Sequence, residues 1–250
     1  MGTRVYLTGR LAVEHDGYLL DGGQLGGRQG RLLFACLAWH RDRPLTRDEL
    51  AELLWGEEPP PSWDTALSAV VSNLRRVLER LDLGRRAVEG AFGCYQLALP
   101  DAWVDVEAAR LAADEAQGYL RAGRPAAAYG CAGVATAVAR RPFLAGEEGP
   151  WVEARRAELR AVLLGGLDCF AEIFVWNGEV RLAVEAAAEA VRLEPFRETG
   201  YQRLMRAHAA AGNRAEALRT YARCRELLAH ELGVDPSPET QAVYVELLRT

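Results

Sequence analysis

Two glycines, Gly178 and Gly212, lie 34 residues apart in a region whose apolar residues recur at helical spacing. Small residues follow both glycines at the same two distances: Ala183 and Ala190 after the first, Ala217 and Cys224 after the second. Small side chains at recurring positions let paired helices pack closely. One such hairpin cannot bury its apolar face alone, so consecutive copies must stack on each other. The period therefore restricts this region to a stack of helical hairpins.

A third and weaker copy of the pattern begins at Gly123, with Ala128 and Ala135 at the corresponding distances. The period and the placement of the small residues match the 34-residue tetratricopeptide template. Apolar residues keep helical spacing to the end of the chain. We therefore predict an all-α, tetratricopeptide-like repeat domain over residues 101–250.

The first forty residues follow a different pattern. Alternating apolar and polar residues predict three short strands, at residues 5–7, 11–13 and 18–20. The spacing then changes, because the apolar residues between 29 and 40 recur every three to four positions. That change predicts a first helix after the strands.

A complete helix-start signal marks the second helix. Thr46 is the predicted N-cap, and Glu49 is the residue that reaches back to it in a capping box. Leu45 and Leu50 have the spacing of the hydrophobic staple that accompanies such a box. We predict that this helix ends near Trp55 and Gly56.

A third helix is predicted over residues 64–81, because its apolar residues fall on one face. A hairpin signal follows, with one strand at residues 87–88, a turn at 90–93 and a return strand at 95–97. Strands, three helices and a terminal hairpin together predict a winged helix-turn-helix over residues 1–100. The predicted fold class is thus mainly α, with a small β component in the N-terminal domain.

Particular motifs resemble one family over nearly the whole chain. The N-terminal ones are Leu54-Trp55, Ala66-Leu67, the run from Val71 to Leu78 and Gly93-Cys94-Tyr95-Gln96-Leu97; the C-terminal ones are Glu194-Pro195-Phe196-Arg197-Glu198, Ala215-Glu216-Ala217-Leu218 and the run from Leu232 to Pro238. They are similar to the OmpR/PhoB-type winged head and the bacterial transcriptional activator domain of SARP (antibiotic regulatory protein) transcriptional activators. The resemblance implies a promoter-binding activator that acts on direct repeats of double-stranded DNA as a homodimer.

The second helix of a helix-turn-helix enters the major groove, and its outward residues contact base edges. Here the outward positions of the 64–81 helix carry polar residues suited to bases and phosphates: Thr65, Ser68, Ser72, Asn73, Arg75 and Arg76. Arg85 and Arg86 flank the wing, where contacts to the phosphates or the minor groove are expected. The alternative is that Arg75, Arg76 and Arg80 form only the solvated face of an amphipathic helix.

The segment between the two helices of the motif is acidic and then rich in proline: Glu57, Glu58, Pro59, Pro60 and Pro61. Three consecutive prolines disfavour helix and hold the backbone extended. The family resemblance implies that this loop contacts RNA polymerase. A rigid connector without a partner is an equally good interpretation of the proline run.

The charge balance limits how DNA can be bound. The net charge is −5, and residues 1–100 hold 12 arginines against 13 carboxylates, a net charge of −1. A local patch must therefore bind DNA, since the overall field does not favour it. Where the wider family often carries His at position 70 and basic residues at 72 and 73, this chain has Val70, Ser72 and Asn73. A second hypothesis follows, in which the chain is a protein-interaction adaptor whose head no longer binds DNA.

Other chemistry has no support in the sequence. We find no phosphate-binding loop, no nucleophile elbow and no HExxH motif, so we predict neither a catalytic residue nor a cofactor. Five scattered cysteines and four histidines without metal spacing predict no metal site. There is no signal-peptide pattern or membrane-spanning run, so we expect a cytoplasmic protein without membrane contact. Trp55, Trp103, Trp151 and Trp176 lie within apolar periodicity and are predicted to pack in the core.

Overall fold

The computed structural model describes residues 2–249, apart from the side chain of Arg85. The chain forms two compact units, one with residues up to Ala108 plus Arg141–Leu159, the other with Ala109–Arg140 plus the residues from Arg160 onward. The first unit therefore continues past residue 100 and includes a segment from the C-terminal half of the chain. The division into domains at 1–100 and 101–250 stays a prediction.

The N-terminal part of the first unit contains small strands and three α-helices. In chain order these are β1 (Thr3–Tyr6), β2 (Ala12–His15), β3 (Tyr18–Asp21), α1 (Gly27–Trp39), β4 (Leu45–Thr46), α2 (Arg47–Trp55), α3 (Trp63–Leu78), β5 (Val88–Ala91), β6 (Cys94–Leu97) and β7 (Trp103–Val104). The helices that follow are α4 (Asp105–Arg121), α5 (Pro125–Ala139), α6 (Pro150–Trp176), α7 (Val180–Leu193), α8 (Glu198–Ala210), α9 (Arg214–Leu232) and α10 (Pro238–Arg249). The predicted fold class is confirmed.

Two sheets frame the helices of the first unit. One has the order β3-β2-β1-β7, in which the first three strands are antiparallel and β7 pairs with β1 in parallel. The three predicted N-terminal strands exist, and their ends lie within two residues of the predicted positions. The other sheet has the order β4-β6-β5 and includes the predicted hairpin. The sequence did not predict β4 or β7, which are only two residues long.

The predicted recognition helix is α3, which ends at Leu78 and continues as a 3-10 turn over Glu79–Leu81. Its apolar face packs in one core with α1, α2 and both sheets; the buried residues of that face are Leu67, Val71, Leu74, Val77 and Leu78. The opposite face is therefore left for solvent. The packing of α1 and α2 against this core fixes the orientation of α3 within the unit.

Two buried carboxylates join segments of the first unit that are far apart in the sequence. Glu147, which is 4% exposed, pairs with the guanidinium groups of Arg28 and Arg31 on α1. Asp105, which is fully buried, accepts hydrogen bonds from the backbone N–H groups of Leu7 and Thr8 and from the Thr8 hydroxyl. Buried charges are tolerated when they are paired or hydrogen-bonded in this way. These two residues hold the 141–159 segment and the start of α4 against the N-terminal strands and α1.

The helices of the second unit confirm the repeat pattern. Gly123, Gly178 and Gly212 each lie in the short turn between two helices, with φ of +67°, +77° and +70°. Glycine adopts this left-handed conformation without a steric penalty. The small residues at the two recurring distances are all buried: Ala128, Ala135, Ala183, Ala190, Ala217 and Cys224. The burial of these small residues between packed helices accounts for their regular spacing in the sequence.

The C-terminal motif has a structural explanation as well. Gly233 ends α9 in the left-handed conformation, and Ser237 precedes Pro238, the first residue of α10. The Ser237 backbone N–H and hydroxyl both donate to the carboxylate of Glu198, at 2.9 Å each to Oε2. Glu198 therefore holds the connection between α9 and α10 and joins the two C-terminal sequence motifs in the structure.

The tryptophan prediction was partly wrong. Trp103 is 43% exposed, with its ring edge against Tyr6, and Trp176 is 66% exposed. Trp55 and Trp151 are half-buried and pack against the core of the first unit. Periodicity predicted burial for all four, but a position at a helix end or on an edge strand leaves the ring only partly covered. None of the helices within residues 2–249 is long and apolar enough to cross a bilayer.

The predicted capping box is present at the start of α2. The Glu49 carboxylate accepts from the Thr46 backbone N–H at 2.7 Å, and the Thr46 hydroxyl accepts from the Glu49 N–H at 3.2 Å. Arg43 also pairs with Glu49 at 2.8 Å. The hydrogen bond from Arg43, followed by that from the Thr46 backbone, lowers the pKa of Glu49 to about 2.

This lowered pKa leads to a testable pH dependence. Ionised Glu49 favours the folded state, so its contribution is complete above about pH 4.5 and is lost as the pH falls toward about 2. We expect the difference in unfolding free energy between the wild type and Glu49→Gln to be positive at pH 7 and to shrink between pH 5 and pH 2. Urea titrations at each pH measure it. The control is Glu52→Gln on the exposed side of α2, and an equal pH dependence in both variants would contradict the assignment.

Candidate nucleic-acid interface

One stripe of α3 faces solvent. Thr65, Ala69, Ser72 and Arg76 are all exposed, at spacings of four, three and four residues that place them on one side of a helix. The stripe borders a shallow groove of about 580 Å³, which is lined by Ala69, Ser72, Asn73, Arg75, Arg76 and Glu79. The sequence prediction included every residue of the stripe except Ala69. That residue was missed because polarity was the criterion, whereas a methyl group on this face can contact the thymine methyl group.

Two of the predicted contact residues, Arg75 and Ser68, bond to elements that neighbour α3. The Arg75 Nε donates to the carbonyl oxygen of Val88 at 2.9 Å, and its guanidinium carbon lies 5.8 Å from the ring centroid of Tyr95. Ser68 is half-buried and accepts a hydrogen bond of 2.9 Å from Arg47. Both side chains therefore connect α3 to neighbouring elements in the structure.

Arg47, the first residue of α2, is the centre of this network. Its guanidinium donates to the Asp64 carboxylate at 2.7 Å, to the Asp64 carbonyl oxygen at 2.7 Å and to the Tyr95 hydroxyl at 2.6 Å. Its side chain is only 23% exposed. One arginine thus joins α2, the first turn of α3 and the wing strand β6. Sequence reasoning missed Arg47, because nothing in its local pattern distinguishes it from a solvated arginine in a first turn.

Asn73 lies close to the backbone of the loop before α1. A Cβ placed on Gly26 would lie 2.3 Å from the Asn73 Nδ2 atom, and Gly26 has a φ of +85°. Only glycine fits there on both counts. The Asn73 side-chain oxygen accepts from Arg76 at 2.5 Å, so these two residues orient each other. Asn73 is partly buried, while Arg76 is exposed.

The wing is the hairpin of β5 and β6, closed by the two-residue turn Phe92-Gly93. Both residues have positive φ, of +52° and +74°, which is the signature of a type I′ turn. This turn favours Asn-Gly, and a non-glycine residue in the left-handed region costs about 1 kcal/mol or more. Phe92 nevertheless occupies the first position, and its relative exposure is 104%. The sequence pattern predicts a turn here but indicates no role for Phe92.

The remaining predicted residues lie at the edges of the unit. Arg86 is exposed before the wing, whereas the side chain of Arg85 lies outside the described part of the structure. In the loop between α2 and α3, Glu57, Glu58, Pro59 and Pro61 are exposed and Pro60 is partly buried. The Pro60 carbonyl oxygen accepts from the Trp63 N–H at 2.9 Å, which fixes the entry into α3. Among the described residues, no group of His, Cys, Asp and Glu is arranged to hold a metal ion.

Comparison with known proteins agrees with this geometry. A family model described as "Bacterial transcriptional activator domain" matches residues 104–248. The chain belongs to the bacterial transcriptional activator domain family. A second model, described as "Transcriptional regulatory protein, C terminal", matches residues 24–89, which include α1, α2 and α3. The resemblance to SARP-type activators that the sequence motifs indicated is thereby confirmed.

Individual members of the family are similar over most of this chain. Regulatory protein AfsR of Streptomyces coelicolor (strain ATCC BAA-471 / A3(2) / M145) is 34% identical over 232 residues, which cover 90% of this chain and 22% of AfsR. Transcriptional regulatory protein EmbR of Mycobacterium tuberculosis (strain ATCC 25618 / H37Rv) is 30% identical over 248 residues, which cover 97% of this chain and 62% of EmbR. The chain thus spans less than two thirds of either relative.

A solved structure is also similar. Mycobacterium tuberculosis EmbR in complex with a low-affinity phosphopeptide matches with a TM-score of 0.88 and 26% identity, covering 99% of this chain and 65% of that one. The phosphopeptide is a ligand of that protein.

Proposed function

We propose that this chain is a sequence-specific DNA-binding transcriptional activator that places α3 in the major groove. The observation that carries the proposal is the exposed stripe of Thr65, Ala69, Ser72 and Arg76 on a helix whose other face is buried. Arginine suits guanine, a serine or threonine hydroxyl suits bases or phosphates, and the alanine methyl suits thymine. The stripe carries no carboxylate, which removes a source of repulsion from the phosphates.

The predicted contact residues divide into two roles under this proposal. Arg76 and Ser72 read bases, and Asn73 supports Arg76 through its 2.5 Å hydrogen bond. Arg75 and Ser68 position the wing and the start of α3, because their polar groups are already bonded to Val88 and Arg47. Arg86 contacts a phosphate beside the wing. Thr65, in the first turn of α3, contacts a base or a phosphate at the helix entry.

The proposal extends to assembly and recruitment. The net charge of −1 on residues 1–100 provides little long-range attraction to DNA, so two copies on direct repeats would combine two modest affinities. The exposed loop of Glu57, Glu58 and Pro59 is the proposed surface for RNA polymerase. Its proline run restricts the conformations open to the loop, so the loop can be presented to a partner at a low entropic cost. The family relationship supports both parts.

The decisive experiment is the selection of bound duplexes from a random pool, followed by affinity measurements on the selected site. We expect a repeated motif, and an affinity loss of about tenfold or more for Arg76→Ala, with relaxed preference at one base pair. Arg10→Ala, which removes an exposed arginine from the turn after β1, is the matched control and should change affinity little. Equal effects of both substitutions would refute the assignment of α3.

The same experiment distinguishes the adaptor hypothesis. An adaptor whose head no longer binds DNA enriches no repeated motif, and its affinity for random duplex is insensitive to Arg76→Ala. Affinity should also fall steeply with salt if phosphates are contacted, with a slope of about −0.9 for each neutralised phosphate. A weak and salt-independent interaction would favour the adaptor.

A further inference from the structure

The wing tip combines an unfavourable backbone with an unfavourable side-chain environment. Phe92 occupies a turn position that prefers asparagine or glycine, at a φ of +52°. No burial offsets this, because its ring is fully exposed. Residues that break a local rule without a structural gain are found at functional sites. A partner that covers the Phe92 ring would offset the cost of this position.

The surroundings of Phe92 indicate what kind of partner fits. Its neighbours at the tip are small, uncharged and exposed: Gly90, Ala91 and Gly93. The minor groove of B-DNA is only about 6 Å wide, so a tip whose neighbouring residues are small can enter it more easily than a tip flanked by bulky side chains or carboxylates. The adjacent carboxylate, Glu89, lies three residues before Phe92 on β5 and limits entry to the tip itself.

The hairpin is also fixed relative to α3. Arg75 bonds α3 to Val88 on β5, and Arg47 bonds the start of α3 to Tyr95 on β6. A wing held at two points presents its tip at a set distance from the reading helix. An apolar side chain in such a position matches the wedges that unstack base steps from the minor groove.

We propose that Phe92 is an apolar wedge that enters the minor groove beside the site read by α3, unstacks one base step and bends the duplex. This inference rests on the proposed DNA-binding function. Its partner is double-stranded DNA with a flexible pyrimidine–purine step, TA or CA, at the position of the wing, because such steps unstack most easily. Phe92 thereby contributes to sequence preference without any hydrogen bond to a base.

The test uses the full chain and the duplex selected from the random pool, with 2-aminopurine replacing single adenines across the site. The wild type should increase the fluorescence at one step and bend the duplex, as measured by energy transfer between its ends. Phe92→Asn suits the positive φ, so it should raise or maintain the melting temperature. We expect it to lose about tenfold in affinity together with the fluorescence increase and the bend.

Two controls isolate the effect of inserting the Phe92 ring. Tyr18→Ala removes another highly exposed aromatic residue of the same unit, on β3, and should leave affinity, fluorescence and bend unchanged. Phe92→Asn should also keep the salt dependence of binding, since the ring neutralises no phosphate. A changed slope would overturn the wedge in favour of a backbone contact.

The remaining outcomes keep the two proposals distinguishable. If Phe92→Asn binds and bends DNA like the wild type while Arg76→Ala loses affinity, the wedge is refuted and the DNA-binding function stands. If Phe92→Asn retains binding and bending but loses transcription with RNA polymerase, the tip contacts protein and the wedge is again refuted. If the wild type enriches no duplex at all, the proposed function fails and the wedge fails with it.

Discussion

Replacing Asp105 by alanine should lower the free energy of unfolding of the first unit by about 3–5 kcal/mol, through the loss of acceptors for buried donors. The Asp105 carboxylate accepts from the N–H groups of Leu7, Thr8 and Val106 at 2.8–3.0 Å and from the Thr8 hydroxyl at 2.7 Å. The three donor residues are at most 2% exposed. Alanine would leave these groups without acceptors in a site that excludes water, where each unmet donor costs roughly 1–3 kcal/mol.

Urea denaturation followed by tryptophan fluorescence measures this effect, because Trp39 lies in the core of the first unit. Asp105→Asn keeps one carbonyl acceptor in a side chain of similar shape, so it should lower the free energy of unfolding less than Asp105→Ala does. Asp101→Ala, at an exposed position just before β7, is the matched control and should change stability by less than about 0.5 kcal/mol. Equal stabilities of Asp105→Ala and Asp101→Ala would show that the buried acceptors do not stabilise the fold.

Asp105 also illustrates which structural features a single sequence can predict. Local signals succeeded where neighbouring residues determine the structure, as in the capping box of Thr46 and Glu49 and the 34-residue spacing of Gly178 and Gly212. Asp105 accepts from residues almost a hundred positions away, and no local pattern shows that contact. The same reason explains the missed strand β7, which pairs with β1, about a hundred positions earlier in the chain.

The candidate site was predictable to the extent that helix periodicity defines a face. Spacing correctly placed Thr65, Ser72 and Arg76 on the outer side of α3. It could not show that Arg75, one position from Arg76, points its guanidinium toward the wing and bonds Val88. Nor could it show that Phe92 would be held at a positive φ. Both features depend on how a hairpin packs against a helix, which sequence spacing does not determine.

Arg47→Met is the second substitution with a large expected effect. Arg47 joins α2, α3 and β6 but is not one of the proposed DNA-contacting residues. Methionine keeps an apolar stem of similar length but removes the hydrogen bonds to Asp64, Ser68 and Tyr95. We expect the unfolding free energy to fall by about 2 kcal/mol, since several charge-assisted hydrogen bonds are lost and their partly exposed partners regain water. The affinity for the selected duplex should fall by tenfold or more, because α3 and the wing are no longer held together.

The salt dependence of binding separates this positioning role from a direct phosphate contact. If Arg47 only positions the interface, the slope of log affinity against log salt should be the same in Arg47→Met as in the wild type. Arg86→Ala, by contrast, should reduce the magnitude of the slope by about 1, as expected for one lost phosphate contact. Arg10→Met is the control for stability, since the exposed Arg10 side chain makes only a surface ion pair, with Asp21 at 3.3 Å. A reduced slope in Arg47→Met would mean that, in the wild type, the Arg47 guanidinium leaves Asp64 and binds a phosphate in the complex. The hydrogen bonds of Arg47 to Asp64 and Tyr95 would then exist only in the free protein.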